Sequence, residues 1–287
     1  MIYLLLSILA STFIFLIFKL FDRFQLNTLQ AIVVNYITAC ILGIVIYDEP
    51  IKIAAIASSQ WFYGAIALGF LFIAIFNVMA ITAQRNGLSV ASVATKMSVI
   101  IPIAFGIYMY NESAGFQKLL GIILALIAVY LASIKPKSRV NVKNSLLLPI
   151  ILFLGSGIID TSIKFIETYY LPDNGIPIFS ATIFCFAGII GVFILGFKLS
   201  KKTSKLDFKS CIGGVALGVV NYYSIYYLLK ALNHESLESS TIFTLNNVAI
   251  VMLSTLLGLF LFKEKISRKN WIGIVLAIVS ICLVTFA

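Results

Sequence analysis

Apolar residues run along this chain in blocks of about twenty, and polar residues gather in the short gaps between them. The strict alternation of a half-buried strand is absent. A block of this length is what a helix needs to cross the roughly 30 Å of a bilayer's hydrocarbon core. Ten such segments are predicted: 2–21, 28–47, 61–85, 88–109, 115–134, 145–168, 175–197, 208–232, 237–262 and 269–286. Their ends carry ordinary stop signals. Asp48-Glu49-Pro50 closes the second, and Asn86-Gly87 divides the third from the fourth. Lys135-Pro136-Lys137 closes the fifth, and Pro172-Asp173-Asn174-Gly175 divides the sixth from the seventh. The first block lacks a basic start and a clear small-residue cleavage site before Lys19, so it reads as a span and not as a signal peptide.

Composition agrees with the pattern. Of 287 residues, 61% are hydrophobic and 11% charged, against about 25% charged in a soluble domain. Such a chain cannot cover its surface with polar groups, so the bilayer must be its solvent. In hydrocarbon every backbone N–H and C=O needs an internal partner, which leaves helices or a closed barrel. Barrel strands alternate over about ten residues, and these blocks do not. The expected fold is therefore an all-α integral membrane protein with ten transmembrane helices.

The net charge of +10 could suggest a nucleic-acid partner. Its distribution argues against one. Sixteen of the 21 Lys and Arg lie in the loops after spans 1, 3, 5, 7 and 9. The opposite loops hold Lys52, Lys118 and Lys230, and Lys96 and Lys164 fall inside spans. The positive-inside rule then places the sixteen in the cytoplasm and both termini outside, in a cell membrane such as the bacterial inner membrane. The four cysteines, Cys40, Cys185, Cys211 and Cys282, sit in separate blocks with no CxxC and no neighbouring His, and read as small buried side chains. No GxxxxGK[ST] loop and no HExxH occurs, so neither a bound nucleotide, another cofactor nor a metal is expected.

The two ends of the chain's halves nearly repeat. Residues 121–131 read GIILALIAVYL and residues 273–283 read GIVLAIVSICL. Glu112 recurs as Glu264 at the same shift. Five helices per half is an odd number, so the halves enter the membrane in opposite senses. The expectation is a first repeat over 1–138, a cytoplasmic linker over 139–144 and a second repeat over 145–287.

In this order, and twice over, several residues resemble the EamA-type drug/metabolite transporter superfamily, across essentially the whole chain. Gly157 stands seven residues before Lys164, Ala83 and Ala231 close the third helix of each half, Glu112 and Glu264 follow the fourth, and Gly121 and Gly273 open the fifth. The first half departs by carrying Thr12 where a Gly would stand, seven before Lys19, and Pro102 lies closer to Glu112 than is usual. The resemblance implies ten helices, two inverted repeats and transport of a small molecule. Family members are often drawn with both termini in the cytoplasm, whereas the charges of this chain point outward.

Polar residues inside the spans are the candidate site. Lys96 lies about eight residues into the fourth, roughly 12 Å from its start, where a charge costs roughly 2.5–3.5 kcal/mol on insertion scales. A shift of 149 to 152 lands on Leu245 to Val248 in the ninth, a window that contains Asn246-Asn247, so a cation and two amides lie at matching depth across the pseudo-symmetry. That set suits a carboxylate or phosphate; the plainer account is a structural Lys paired with a carboxylate of the sixth span. That span carries Asp160, Lys164 and Glu167 at one-turn spacing. They form a local ion-pair ladder, or else Asp160 balances Lys96 or carries a coupling proton. In the eighth span Tyr222 and Tyr226 share a face and either line a cavity or pack at the interface. Asn77, with Asn35 and Tyr36, is a weaker candidate. Pro102 interrupts the fourth span and is a candidate hinge. Gly214-x-x-x-Gly218 allows a close helix contact. Glu112 and Glu264, at helix ends, are explained by loop hydrogen bonds and charge pairing, and His234 lies at a loop edge.

Together these features describe a secondary transporter of a small polar or amphipathic metabolite, an amino acid or other organic anion fitting Lys96 best. Its partners are that substrate, the bilayer and, as candidate coupling ion, the proton; a monomer and a homodimer both fit. The other class is a membrane-embedded enzyme or accessory protein acting on a lipid-linked substrate. The charge distribution generates a direct test of orientation. Cysteines introduced across 198–209 should resist impermeant maleimides in intact cells and react only after lysis. Labelling from outside would reverse the topology.

Overall fold

The computed structural model describes residues 2–47, 50, 52–102, 104–105, 115–133, 142–172, 175–201, 206–232 and 239–285. Eleven helices follow one another among them. They are α1 (Ile2–Arg23), α2 (Thr28–Ile46), α3 (Ile53–Ala57), α4 (Phe62–Asn86), α5 (Leu88–Met97) and α6 (Phe116–Ser133). The rest are α7 (Val142–Tyr170), α8 (Ile176–Ser200), α9 (Phe208–Leu232), α10 (Ser239–Phe262) and α11 (Arg268–Thr285). No strand occurs among the described residues. Every predicted segment carries a helix. Six described helical stretches, in α1, α2, α4, α7, α8 and α9, are long and apolar enough to cross a membrane. Residues 88–102, 119–131 and 246–262 are shorter apolar helices.

The differences from the sequence reading are local. The short α3 was not foreseen; its five residues, IAAIA, are too few to show a helical period. Helix α7 begins at Val142, so residues 142–144 of the expected linker are helical; the remainder of the linker lies outside the described residues. The fourth predicted span is not one helix. It stops at Met97, turns at Ser98-Val99 and resumes at residue 100.

The described residues form two compact units, each drawing on both halves of the chain. One comprises 1–20, 78–158 and 223–287, the other 21–77 and 159–222.

In the first unit, α5, α6, α7, α10 and α11 share an apolar core that includes Val93, Met97, Ala128, Phe153, Val251 and Ala277. The duplicated segments in α6 and α11 pack on each other in opposite directions. Ser280 Oγ donates to the Gly121 carbonyl at 2.7 Å, and Asn270 Nδ2 to the Leu131 carbonyl at 3.0 Å. Gly157 of α7 sits against the Ile101 side chain, leaving no room for a Cβ.

One acidic side chain joins four helix ends in this unit. Glu264, two residues beyond α10, accepts from the Leu88 backbone N–H at 3.1 and 3.2 Å, at the first residue of α5. There it meets an unpaired amide and the positive end of the helix dipole. Its Oε1 also lies 3.4 Å from Lys19 Nζ of α1, both side chains being mostly buried at 18% and 14% exposure. Lys19 in turn donates to the Ala83 and Gln84 carbonyls at 3.3 and 3.1 Å, near the C-terminus of α4. Gly87 joins α4 to α5 with φ +109°. A Cβ there would be 2.8 Å from Glu264 Oε2, so both the backbone and the carboxylate demand glycine.

In the second unit, α2 packs along α8 and the start of α9. Gly214 and Gly218 bring α9 onto α2, with sites for a Cβ only 2.6 Å from the Ala31 carbonyl and from Thr38 Cβ. This is the close contact expected of the GxxxG spacing. Gln30, 1% exposed, fastens the same pair: it donates to the Asp207 carbonyl at 2.8 Å and accepts from the Asp207 N–H at 3.1 Å. Asp207 also caps α9, accepting from the N–H groups of Lys209 and Ser210 and from the Ser210 hydroxyl at 2.8 Å. The Ser210 hydroxyl bond, first among these, holds the Asp207 carboxyl below its ordinary range. Cys40 of α2 and Cys185 of α8, read on sequence as small buried side chains of separate blocks, neighbour each other, Cys40 half-buried and Cys185 exposed.

Two measurements check this packing. Gly87→Ala should lower unfolding stability in detergent by about 1–3 kcal/mol, and Glu264→Ala by about 1.5–3 kcal/mol through loss of the charge-assisted bond to α5. Wild-type stability in both variants would show that the α4–α5 junction is formed otherwise. Mild oxidation should also yield a peptide cross-linked through Cys40 and Cys185 in mass spectra. Exclusive pairing with Cys211 or Cys282 would contradict the α2–α8 contact.

Candidate functional site

Helix α5 is rich in short hydroxyl side chains, and several turn back on their own helix. Ser92 donates to the Ser89 carbonyl and Thr95 to the Ala91 carbonyl. Bonds of this kind satisfy hydroxyls without a neighbour. Lys96 follows, half-buried, eight residues after Leu88. The helix ends one residue later for a reason that begins at Pro102. Proline has no N–H to give to the carbonyl four residues back, which is that of Ser98. The Ser98 carbonyl instead accepts from Ile101 N–H at 2.9 Å, a tighter turn, and the axis breaks there. The break therefore sits directly after Lys96.

Helix α10 runs antiparallel to α5. Glu264 meets Leu88 at one level, and Ser254 Oγ meets Ser92 Oγ at 2.6 Å at the next. Asn246 and Asn247 lie on the same helix two turns before Ser254, 1% and 7% exposed. Asn246 Oδ1 is 3.3 Å from Ser7 Oγ of α1, and that hydroxyl is also 3.0 Å from the Ser224 carbonyl of α9. Ser7 is fully buried. Ser89 of α5 and Thr255 of α10 are also buried, and their hydroxyls have no hydrogen-bond partner. Buried hydroxyls without partners are uncommon, because each forfeits its bond to water.

The remaining sequence candidates are dispersed. Asn77 is half-buried and donates to the Ile73 carbonyl of its own helix at 2.7 Å. Asn35 accepts from Asn221 Nδ2 at 3.3 Å in the second unit, and the Tyr36 hydroxyl donates to the Phe72 carbonyl at 2.8 Å. Tyr222 is buried, its ring edge 3.4 Å from where a Cβ on Gly43 would stand. Tyr226 instead joins a group of tyrosines in the first unit, with Tyr223 and Tyr227. Asp160 is exposed on α7. Lys164 and Glu167 lie on α7 with side chains outside the described residues, as do Glu112 and His234 altogether.

Sequence reasoning missed Ser7, Ser224 and Ser254. A lone serine in an apolar span carries no periodic signal, and each acquires meaning only from a partner more than 150 residues away.

The comparisons with known proteins bear on the whole arrangement. Residues 146–286 match the model of the EamA-like transporter family. A Haemophilus influenzae protein described as uncharacterized is 29% identical over 285 residues, covering 96% of this chain and 94% of the relative. A crystal structure 12% identical in sequence superposes over 99% of this chain and 96% of its own, with a TM-score of 0.59, which establishes a shared fold. Through residues 146–286 the chain belongs to the EamA-like transporter family, within the drug/metabolite transporter superfamily, and is a multi-pass membrane protein of a family that moves small molecules.

Proposed function

We propose that the protein is a secondary active transporter of a small polar or amphipathic metabolite, with an amino acid or another organic anion as the favoured class. Ten spans in two inverted five-helix repeats, 1–138 and 145–287, alternate access to one central site, with both termini outside the cytoplasm. The antiparallel contact between the duplicated segments of α6 and α11 supports an inverted repeat.

The observation that carries the reading is Lys96. It stands half-buried within an apolar segment, in the same unit as the two buried amides of α10. In the register of Ser92 with Ser254, Lys96 is one turn beyond Ser92 and Asn247 about two turns before Ser254. Their levels differ by roughly one turn, about 5 Å, a gap that a lysine side chain covers. Lys96 supplies the charge for a carboxylate, and Asn246 and Asn247 supply donors and acceptors that fix its orientation. The orphaned hydroxyls of Ser89 and Thr255 on the same two helices are consistent with a polar seam that hydrates during the cycle. The break at Ser98 gives α5 a hinge next to its lysine. Tyr226, in the same unit as Lys96, is the second rank of substrate contact, and Tyr222 and Asn77 are candidates on sequence pattern. Asp160, with Lys164 and Glu167, is the candidate for charge balance or for carrying a coupling proton.

Proteoliposomes loaded against labelled amino acids and organic anions test this. Wild type should give flux of unaltered compound, and Lys96→Ala should reduce it to the protein-free level while the variant inserts and unfolds normally. Undiminished flux in Lys96→Ala would remove the central site, and conversion of a compound without flux would make the protein an enzyme.

A further inference from the structure

The connection from α10 to α11 sorts its side chains by charge. Glu264, Ile266 and Asn270 turn inward: the carboxylate is held by Leu88 and Lys19, Ile266 packs on the apolar core, and Asn270 donates to the Leu131 carbonyl. Lys263, Lys265, Arg268 and Lys269 turn outward and are exposed. The acidic residue of the segment is thus spent inside, and four cations are left at the surface. Two of them, Arg268 and Lys269, stand in the first turn of α11, which holds no acidic residue. A helix start carries partial positive charge, so cations there are repelled by the backbone as well as by one another. The Asn270 amide is already capped by the Ser267 hydroxyl at 3.2 Å, so the charge of the patch lies in its side chains. Lys263 adds a cost of its own, since its φ of +51° is one that glycine adopts with less strain.

Apolar side chains frame the cations on both sides. Phe260 and Leu261, 77% and 54% exposed, precede them at the end of an apolar helical stretch that closes at Phe262. Trp271 and Ile272, 44% and 54% exposed, follow them. Tryptophan favours the headgroup level of a bilayer, and cations just beyond an apolar stretch meet the phosphates there. A soluble anion would use the four charges and leave the exposed rings without a role. We propose that Lys263, Lys265, Arg268 and Lys269, flanked by Phe260 and Trp271, form a docking surface for an anionic phospholipid. Its phosphate lies among the cations and its acyl chains lie against the rings. The bound headgroup relieves the repulsion at the start of α11 and so steadies the loop from which Glu264 reaches Leu88 and Lys19. The lipid acts here as a bound partner and not as cargo, and the surface does not rest on the proposed central site.

The test titrates full-length protein in nonionic detergent with dioleoylphosphatidylglycerol or with zwitterionic dioleoylphosphatidylcholine. Bound lipid is counted by native mass spectrometry, and the thermal midpoint is followed in parallel. Wild type should retain the anionic lipid in preference and melt higher with it. Lys265→Gln with Lys269→Gln should weaken that binding about fivefold for each charge removed, the factor that corresponds to about 1 kcal/mol. Without lipid the same double variant should melt at or above wild type, because like charges have been removed from a helix start. Lys201→Gln with Lys209→Gln removes two cations at the α8–α9 connection, where Asp207 supplies a counter-charge, and should leave the preference in place. Equal retention of the two lipids by wild type, an equal loss in both double variants, or a lower lipid-free midpoint in Lys265→Gln with Lys269→Gln overturns the proposal. Glycerol phosphate should displace none of the lipid; displacement would make the site one for a free anion and overturns the lipid assignment.

Discussion

The first unit depends on the carboxylate of Glu264. Two helix ends meet beside it, and a helix end in an apolar setting leaves amides or carbonyls that no water will satisfy. Glu264 covers the start of α5, and Lys19, drawn to Glu264, covers the carbonyls near the end of α4. One ion pair thus closes a junction that would otherwise carry several unpaired backbone groups, and it fastens α1 and the end of α10 to the same point. The desolvation of the two charges is offset because each makes further bonds to backbone groups that themselves need partners. Gly87 completes the arrangement, since neither a side chain nor a right-handed backbone fits between α4 and α5 at this spot.

The interior built on that junction is more polar than the composition suggests. Serines on α1, α5 and α10 spend their hydroxyls on one another, on an amide or on backbone carbonyls, while Ser89 and Thr255 spend theirs on nothing. The second unit is built differently. Its helices approach through glycines, Gly214 and Gly218 on α2 and Gly69 on the backbone of Ala187, where a Cβ would fall at 3.1 Å from that nitrogen. Small residues permit such contacts where lipid removes any hydrophobic drive between helices. Rigid small-residue packing in one unit and hydroxyl-rich packing in the other are two physical solutions to association in the same solvent.

Much of the fold was legible because bilayer thickness imposes a length that sequence displays directly. Every predicted segment carries a helix, and Glu264 serves the helix-end role its position suggested. The departures trace to signals too short or too indirect. Helix α3 is five residues, none of them buried, and the break after Met97 stems from a proline four residues beyond a carbonyl that then bonds in a tighter turn. Of the candidate site, Lys96, Asn246 and Asn247 stood out because polar side chains are costly in apolar runs.

Sequence by itself determined the solvent, the helical class, the duplication and the family resemblance, since each follows from block length, composition or repetition along the chain. Tertiary structure decided which polar groups find one another: Lys19 with Glu264, Ser7 with Asn246, Ser92 with Ser254, and Asn35 with Asn221. The division has one physical cause. Burial in lipid is a property of each segment, read from its own residues, whereas a hydrogen bond or an ion pair is a property of two residues that only folding brings within reach.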